Sequence, residues 1–168
     1  MNRHPHHENP NPTKAEVHAH AAAARARKRA EAAEIGIDEH YVSRFVEAFY
    51  GRIRDDELLG PIFGARIADW PTHPDLMKGF WRSILMNSGE FSGNPMPKHI
   101  AIGGLEERHF AHWLELFYET LRDLESDPAA IRLVGTRARM IADSLLTGIS
   151  MQGNGLSGAR AGQNLPHI

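Results

Sequence analysis

The residue in this sequence best suited to bind a metal is a single histidine, His99, within the stretch GNPMPKHIAIGG, residues 93–104. Prolines and glycines prevent a long helix there, but Pro97 can begin a short helical turn that Gly103 and Gly104 end. A neutral imidazole on such a short, pinned segment can be aimed at a metal as a single axial ligand. The competing interpretation is an ordinary histidine in a surface loop.

Three further side chains, all on predicted helices, could surround a ligand beside such a metal. Tyr50 lies at the inner end of an apolar stripe beside Phe49, and a buried phenol usually needs a partner for its hydroxyl. His73 falls on the inward side of the next long helix, and the indole of Trp113 can only donate a hydrogen bond. Each alone also fits a core residue, with His73 satisfied by a backbone group. Together with His99 they indicate one axial ligand, two donors and one inward histidine.

The sequence lacks the residues that several other chemistries need. It contains no cysteine, which excludes disulfides, thiolate metal sites and thiol catalysis, so redox work would need a cofactor. No Ser/His/Asp arrangement, phosphate-binding glycine loop or HExxH zinc motif occurs. His109 and His112 could share a metal, but no carboxylates stand at a suitable spacing. The net charge of −2 does not favour a nucleic-acid partner.

The elements that must position these residues are predicted to be helices throughout. Asp38 and Asp127 are expected to cap the first and last of four long helices, and the second is expected to begin near Trp70, with Pro71 and Pro74 in its first turn. No strand pattern or repeat is present, so the predicted fold class is all-α. The apolar faces of the four helices are formed by Val42, Phe45, Val46, Phe49, Tyr50 and Ile53; by His73, Leu76, Met77, Phe80, Trp81, Ile84 and Leu85; by Phe110, Trp113, Leu114, Phe117, Leu121 and Leu124; and by Ile131, Val134, Ala138, Ile141, Ala142, Leu145 and Ile149.

The chain divides into three parts. Residues 1–36 form a basic, Ala- and Arg-rich extension, which is expected to be disordered to residue 13, including a solvated HPHH run, and partly helical beyond it. Residues 37–150 form the helical domain, and the Gly-, Asn- and Ser-rich residues 151–168 are expected to be a disordered tail. No apolar run approaches the roughly 20 residues that span a bilayer, so we expect a cytoplasmic protein without membrane contact.

Five short motifs occur in the same order and at compatible spacing as in a known family: FY, GPIF, FW, GNPM…H and HFAHWLELF. They lie in the stretches FVEAFYGRIRDDELLGPIF, WPTHPDLMKGFWRSILMNSGEFSGNPMPKHI and RHFAHWLELFYETL. Over residues 38–150 the sequence resembles the bacterial group III truncated haemoglobins. The resemblance implies a shortened globin, with a two-over-two helical sandwich around haem b, which is iron protoporphyrin IX.

The resemblance also implies roles for individual residues. His99 matches the proximal histidine that binds the haem iron, while Tyr50 and Trp113 match the two donors to a ligand on the distal side. His73 matches the distal histidine that gates access, although Pro74 departs from the family's pattern. The other residues expected at the haem are Phe49, Phe63, Met77, Phe80, the structural aromatic Trp81, and Lys98 as a partner of the propionates.

The implied function is reversible binding of dioxygen, carbon monoxide or nitric oxide at a five-coordinate haem iron. Two charge-assisted hydrogen bonds would slow oxygen release, which suits oxygen or nitric oxide handling better than bulk delivery. We expect a monomer, served by a reductase that the sequence does not identify. Two alternatives stay open: a haem-dependent redox enzyme of the nitric oxide dioxygenase or peroxidase type, and a haem-free helical interaction module.

Overall fold

The structure, a computed structural model, describes residues 12–168 and consists of seven α-helices and one short 3₁₀ helix. The predictions for residues 1–11, including the HPHH run, lie outside the described residues. No strand occurs in residues 12–168, so the predicted all-α class is confirmed. The helices are α1 (Lys14–Glu34), α2 (Glu39–Asp55), α3 (Gly60–Gly64), α4 (His73–Met86), α5 (Met96–Ile100), α6 (Glu107–Asp123) and α7 (Pro128–Asn154), followed by the 3₁₀ helix Gly155–Gly158.

Two pairs of long helices form the body of the fold. α2 packs on α4, α6 packs on α7, and a contact between α2 and α6 joins the two pairs. The core between them contains Phe45, Phe49 and Phe117, and the Trp81 ring stacks on Phe117 at a centroid distance of 5.2 Å. The two short helices lie on this frame, α3 against α2 and α5 against α7. This pairing is the one expected of a two-over-two sandwich.

Aspartate caps begin α2 and α7, as the sequence predicts. Asp38 accepts a hydrogen bond from the Tyr41 N–H at 2.7 Å, and Asp127 accepts one from the Ala129 N–H at 2.7 Å. Pro128 occupies the first position of α7, where its missing N–H leaves no helical bond unmade. These caps fix the ends of the two helices from which the fold's two layers are built.

The first helix is continuous over 21 residues, whereas the sequence predicts only partial helix. A capping box closes its first turn: the Glu16 N–H donates to the Thr13 hydroxyl, and the Glu16 carboxylate accepts from the Thr13 N–H. α1 contacts α4, and only Ala32 in its last turn is buried. Its alanine-rich composition therefore supports most of its length. None of the helices in residues 12–168 combines the length and the apolar character needed to cross a membrane.

The C-terminal residues 151–168, expected from their composition to be disordered, are folded onto α6 and α7. α7 continues to Asn154, and after the 3₁₀ helix the chain returns toward these helices. The hydroxyl of Tyr118 donates to the Pro166 carbonyl at 2.9 Å, and Leu165 is only 1 % exposed. Arg139 donates to the carbonyls of residues 162, 163 and 165. The polar composition of the tail predicts disorder, but hydrogen bonds from Tyr118 and Arg139 to its carbonyl groups hold its backbone in place.

Candidate functional site

The candidate metal ligand, His99, lies on the short helix α5. Its Nδ1 is 2.9 Å from the carbonyl oxygen of Pro95, one turn earlier in the chain. A carbonyl can only accept, so Nδ1 carries the proton and Nε2 keeps its lone pair. Metal-binding histidines typically use this second hydrogen bond to fix the ring and its tautomer. The half-buried imidazole is therefore prepared to bind a metal through Nε2.

α5 is tied to the rest of the fold on three sides. The Asn94 side chain accepts the N–H of Met96 at 3.0 Å and so begins the helix. The Met96 side chain lies over Gly148 of α7, where an added Cβ would stand 2.4 Å from its Cε. Beyond the helix, the Arg66 guanidinium donates to the Ile102 carbonyl at 3.0 Å. These ties restrict the direction in which the imidazole can point.

Tyr50, His73 and Phe63 form a cluster at the ends of three helices. The ring of Tyr50 lies 5.1 Å from the ring of His73 and 6.2 Å from that of Phe63, both edge-on. Burial raises the pKa of the Tyr50 phenol, and no hydrogen bond within residues 12–168 offsets it. The phenol therefore stays protonated and available as a donor.

His73 is the first residue of α4, which begins slightly later than predicted. Its N–H donates to the Asp69 carbonyl at 3.0 Å, so Pro74 falls in the first turn and removes no helical hydrogen bond. The Nε2 atom is buried and has no partner within residues 12–168. Burial and the positive charge of Lys98 lower the pKa of His73, so the ring is neutral at neutral pH.

Trp113 lies on α6 and reaches the same cluster through Phe49. Its half-buried ring stands edge-on to Phe49 at 5.3 Å and stacks on Phe117 at 5.2 Å. Phe49 also lies 5.3 Å from Tyr50, again edge-on. The two predicted donors, the phenol and the indole, therefore both pack against one buried ring.

α4 continues from His73 as an apolar stripe that the protein leaves half-exposed. Met77, Phe80 and Ile84 follow His73 at helical spacing, and each is only partly covered. Trp81, on the adjoining face, is 3 % exposed and packs in the core. Leu76, expected on the inner face, is 48 % exposed because it lies to the side of this stripe.

These residues fit a haem. Within residues 12–168 no three acidic or histidine side chains are grouped to hold a metal ion, so His99 would act as a lone protein ligand. A lone histidine suits an iron whose other in-plane ligands are supplied by a porphyrin. The half-exposed stripe on α4 offers an apolar wall for the ring. The buried, unpartnered Nε2 of His73 supplies a polar group that the protein itself does not use.

His109 and His112 each form a hydrogen bond with a different partner. His109 Nδ1 accepts the Glu106 N–H at 3.0 Å at the start of α6, whereas His112 Nε2 lies 2.7 Å from Asp56 Oδ2. The hydrogen bond to Asp56 raises the pKa of His112. For Asp56, burial favours the neutral form but is outweighed by hydrogen bonds from the Leu59 N–H and His112, which lower its pKa. The sequence does not predict this pair, whose one local signal is an aspartate placed to cap the turn before GPIF.

Comparison with known proteins points to one family. The chain is 31 % identical over 110 residues to the group 3 truncated haemoglobin ctb of Campylobacter jejuni, a match that covers 63 % of this chain and 86 % of that protein. It also matches the crystal structure of the group III truncated haemoglobin from Campylobacter jejuni, with a TM-score of 0.61 and 30 % identity, over 65 % of this chain and 88 % of that one. No family model matches the chain.

Proposed function

This chain belongs to the group III truncated haemoglobins, and on that premise we propose that it binds dioxygen and other diatomic ligands reversibly at a haem held by His99. Membership makes it a globin-type haem protein. We propose haem b as the cofactor, carbon monoxide and nitric oxide as further ligands, and residues 37–150 as the unit that holds the haem. The protein is proposed to act as a cytoplasmic monomer, re-reduced by a partner reductase.

The observation that carries this proposal is the hydrogen bond from His99 Nδ1 to the Pro95 carbonyl. It leaves Nε2 as the lone acceptor, aimed by the ties that hold α5, and it makes the imidazole a stronger donor to a metal. When bound, the haem would supply an iron that His99 holds and that can bind a diatomic ligand. The chain offers no competing metal cluster within residues 12–168.

On the distal side, Tyr50 and Trp113 act as neutral hydrogen-bond donors. Dioxygen held by the haem would carry partial negative charge on its outer atom, so each donor would make a charge-assisted bond worth roughly 1.5–3 kcal/mol. That range corresponds to roughly 10- to 150-fold in affinity for each bond. Tight binding with slow release supports oxygen or nitric oxide handling over bulk delivery. His73, whose lowered pKa keeps its ring neutral, is proposed to gate ligand entry.

The haem periphery is proposed to rest on the apolar side chains and on one cation. Phe63 and Phe49 would cover the distal face, and Met77 and Phe80 would line the edge along α4. Lys98 is exposed, and its ammonium is close enough to His73 to affect that ring. An exposed ion pair with a propionate would contribute at most about 1 kcal/mol. Apolar burial would therefore contribute more to haem affinity than Lys98 does.

The absorption spectrum of the purified protein tests the proposal, recorded in the deoxy, oxy and carbonmonoxy forms. We expect a Soret band in the wild type, a strongly altered band in His99→Gly, and recovery of the wild-type spectrum when imidazole is added. His167→Gly is a matched control, because His167 is an exposed, non-helical histidine of the tail. An unaltered spectrum in His99→Gly would contradict the assignment, and a colourless wild type would support the haem-free module. Rapid turnover of nitric oxide or peroxide would instead indicate the redox enzyme.

A further inference from the structure

One carboxylate joins two parts of the fold that hold the distal residues. Asp56 follows the last residue of α2, and its Oδ1 accepts the N–H groups of Leu58 at 3.0 Å and Leu59 at 2.8 Å. Its Oδ2 lies 2.7 Å from His112 Nε2 on α6. A single side chain therefore fixes the turn between α2 and α3 and attaches that turn to α6.

Each end of this connection leads directly to the distal cluster. Leu59 is 2 % exposed and is followed by α3, which carries Phe63 to within 6.2 Å of the Tyr50 ring. On α6, His112 precedes Trp113, the second predicted donor. A change in the Asp56–His112 bond would therefore alter the spacing between the phenol and the indole.

The groups that face His112 make this bond depend on protonation. Asp56 approaches from the end of α2, and Glu115 on α6 lies 3.7 Å from Nδ1. The hydrogen bond to Asp56 and the negative charge of both carboxylates raise the pKa of this histidine, while its partial burial lowers it. The protonated ring can donate from both nitrogens, whereas the neutral ring retains one proton. The ion pair between Asp56 and His112 is therefore fully formed at a pH below the ordinary histidine pKa, and it weakens as the pH rises through the raised pKa of His112.

We propose that the Asp56–His112 pair is a positioning device for the distal pocket, in which protonated His112 slows ligand release and deprotonated His112 speeds it. The inference rests on the proposed function, because it concerns a ligand held next to Tyr50 and Trp113. Asp56 and His112 act through the elements that they join. When the Asp56–His112 bond weakens, the connection between α3 and α6 loosens, and Tyr50 and Trp113 are no longer aligned on the ligand.

Stopped-flow oxygen dissociation from the haem-loaded protein, measured from pH 5.5 to 9, tests the inference. For the wild type we expect the rate constant to rise roughly threefold with one titration, the size of effect that a part-exposed ion pair supports. His112→Gln keeps an uncharged donor and should show a flat profile. Asp56→Asn keeps the backbone cap but loses the charge, so it should shift or abolish the step. NMR titration of His112 in the haem-loaded protein should give a raised pKa that Asp56→Asn returns toward the ordinary value.

The ion pair between Arg52 and Asp123 provides a matched control, because it also joins α2 to α6 but lies toward the other end of α6. Arg52→Gln should keep the wild-type pH profile. A step that survives in both His112→Gln and Asp56→Asn would overturn the inference, as would its loss in Arg52→Gln. A wild type without a Soret band refutes the proposed function itself. A wild type with a normal spectrum and a flat profile refutes only this inference.

Discussion

Replacing Tyr50 with phenylalanine removes one hydroxyl and leaves the packing of the distal cluster intact. The ring keeps its edge-on neighbours Phe49, Phe63 and His73, at 5.3, 6.2 and 5.1 Å. No hydrogen bond within residues 12–168 acts on the phenol, so the substitution breaks no bond inside the protein. The Tyr50→Phe variant therefore isolates the contribution of the hydroxyl to a bound ligand.

The expected effect on oxygen release is large, while the effect on folding is small. Losing one charge-assisted hydrogen bond costs about 1.5–3 kcal/mol of ligand stabilisation, so the dissociation rate should rise roughly 10- to 150-fold. The free energy of unfolding should stay equal or rise slightly, because a buried hydroxyl without a partner is costly to desolvate. Carbon monoxide carries less charge on its outer atom, so its dissociation should change less than that of dioxygen.

Tyr41→Phe is the matched control for this measurement. Tyr41 lies on the same helix, is buried to a similar degree, and its hydroxyl is likewise shielded from solvent. Stopped-flow dissociation should therefore show no change in Tyr41→Phe, although both variants lose one hydroxyl from α2. Equal oxygen release in Tyr50→Phe and wild type, with a normal haem spectrum, would remove Tyr50 from the ligand network. An equal acceleration in both variants would point to a general loosening of α2.

Two further predictions concern stability. Gly158→Ala should destabilise the protein by about 1–3 kcal/mol and expose the tail to limited proteolysis, because the added Cβ would clash with the Ser150 carbonyl carbon. Gly153→Ala is the control: its Cβ meets no atom within 4 Å, so thermal unfolding should show a neutral or stabilising effect. The hydrogen bond from Arg82 lowers the pKa of Glu90 to about 2, so its stabilising effect is complete above pH 4.5 and is lost as the pH falls toward 2. Arg82→Gln should be less stable than wild type by up to about 1 kcal/mol at pH 6, and urea unfolding should show this difference shrinking at pH 3. A constant difference would contradict the assignment.

The parts of the structure that could be predicted from sequence are those set by local chemistry. An aspartate before an apolar helical stripe favours an N-cap whatever the rest of the fold, and Asp38 and Asp127 each cap a helix. Prolines and glycines around His99 limit that segment to one short helix, as expected. The helical spacing after His73 likewise predicts a stripe on α4, although its exact edges depend on the neighbouring helices.

The parts that could not be predicted depend on residues far apart in the chain. Asp56 and His112 are separated by 56 positions, so no local pattern connects them before the fold is known. Main-chain oxygens carry no signature in the sequence. The acceptor that orients His99, the carbonyl of Pro95, is therefore visible only in the structure. The assignments of Tyr50 and Trp113 to a ligand stay predictions until dissociation rates are measured.

The tail that folds onto α6 and α7 is attached in a way that tolerates change. Arg139 and Tyr118 bind carbonyl oxygens, which every residue type provides at the same place along the backbone. Substitutions at most tail positions would therefore preserve these bonds, whereas Gly158, Gly162 and Leu165 are sterically restricted. An insertion or deletion would move the carbonyls out of register. Evolution should accordingly hold the length of this segment more tightly than its composition, and fusion tags should be appended after the last residue instead of replacing part of it.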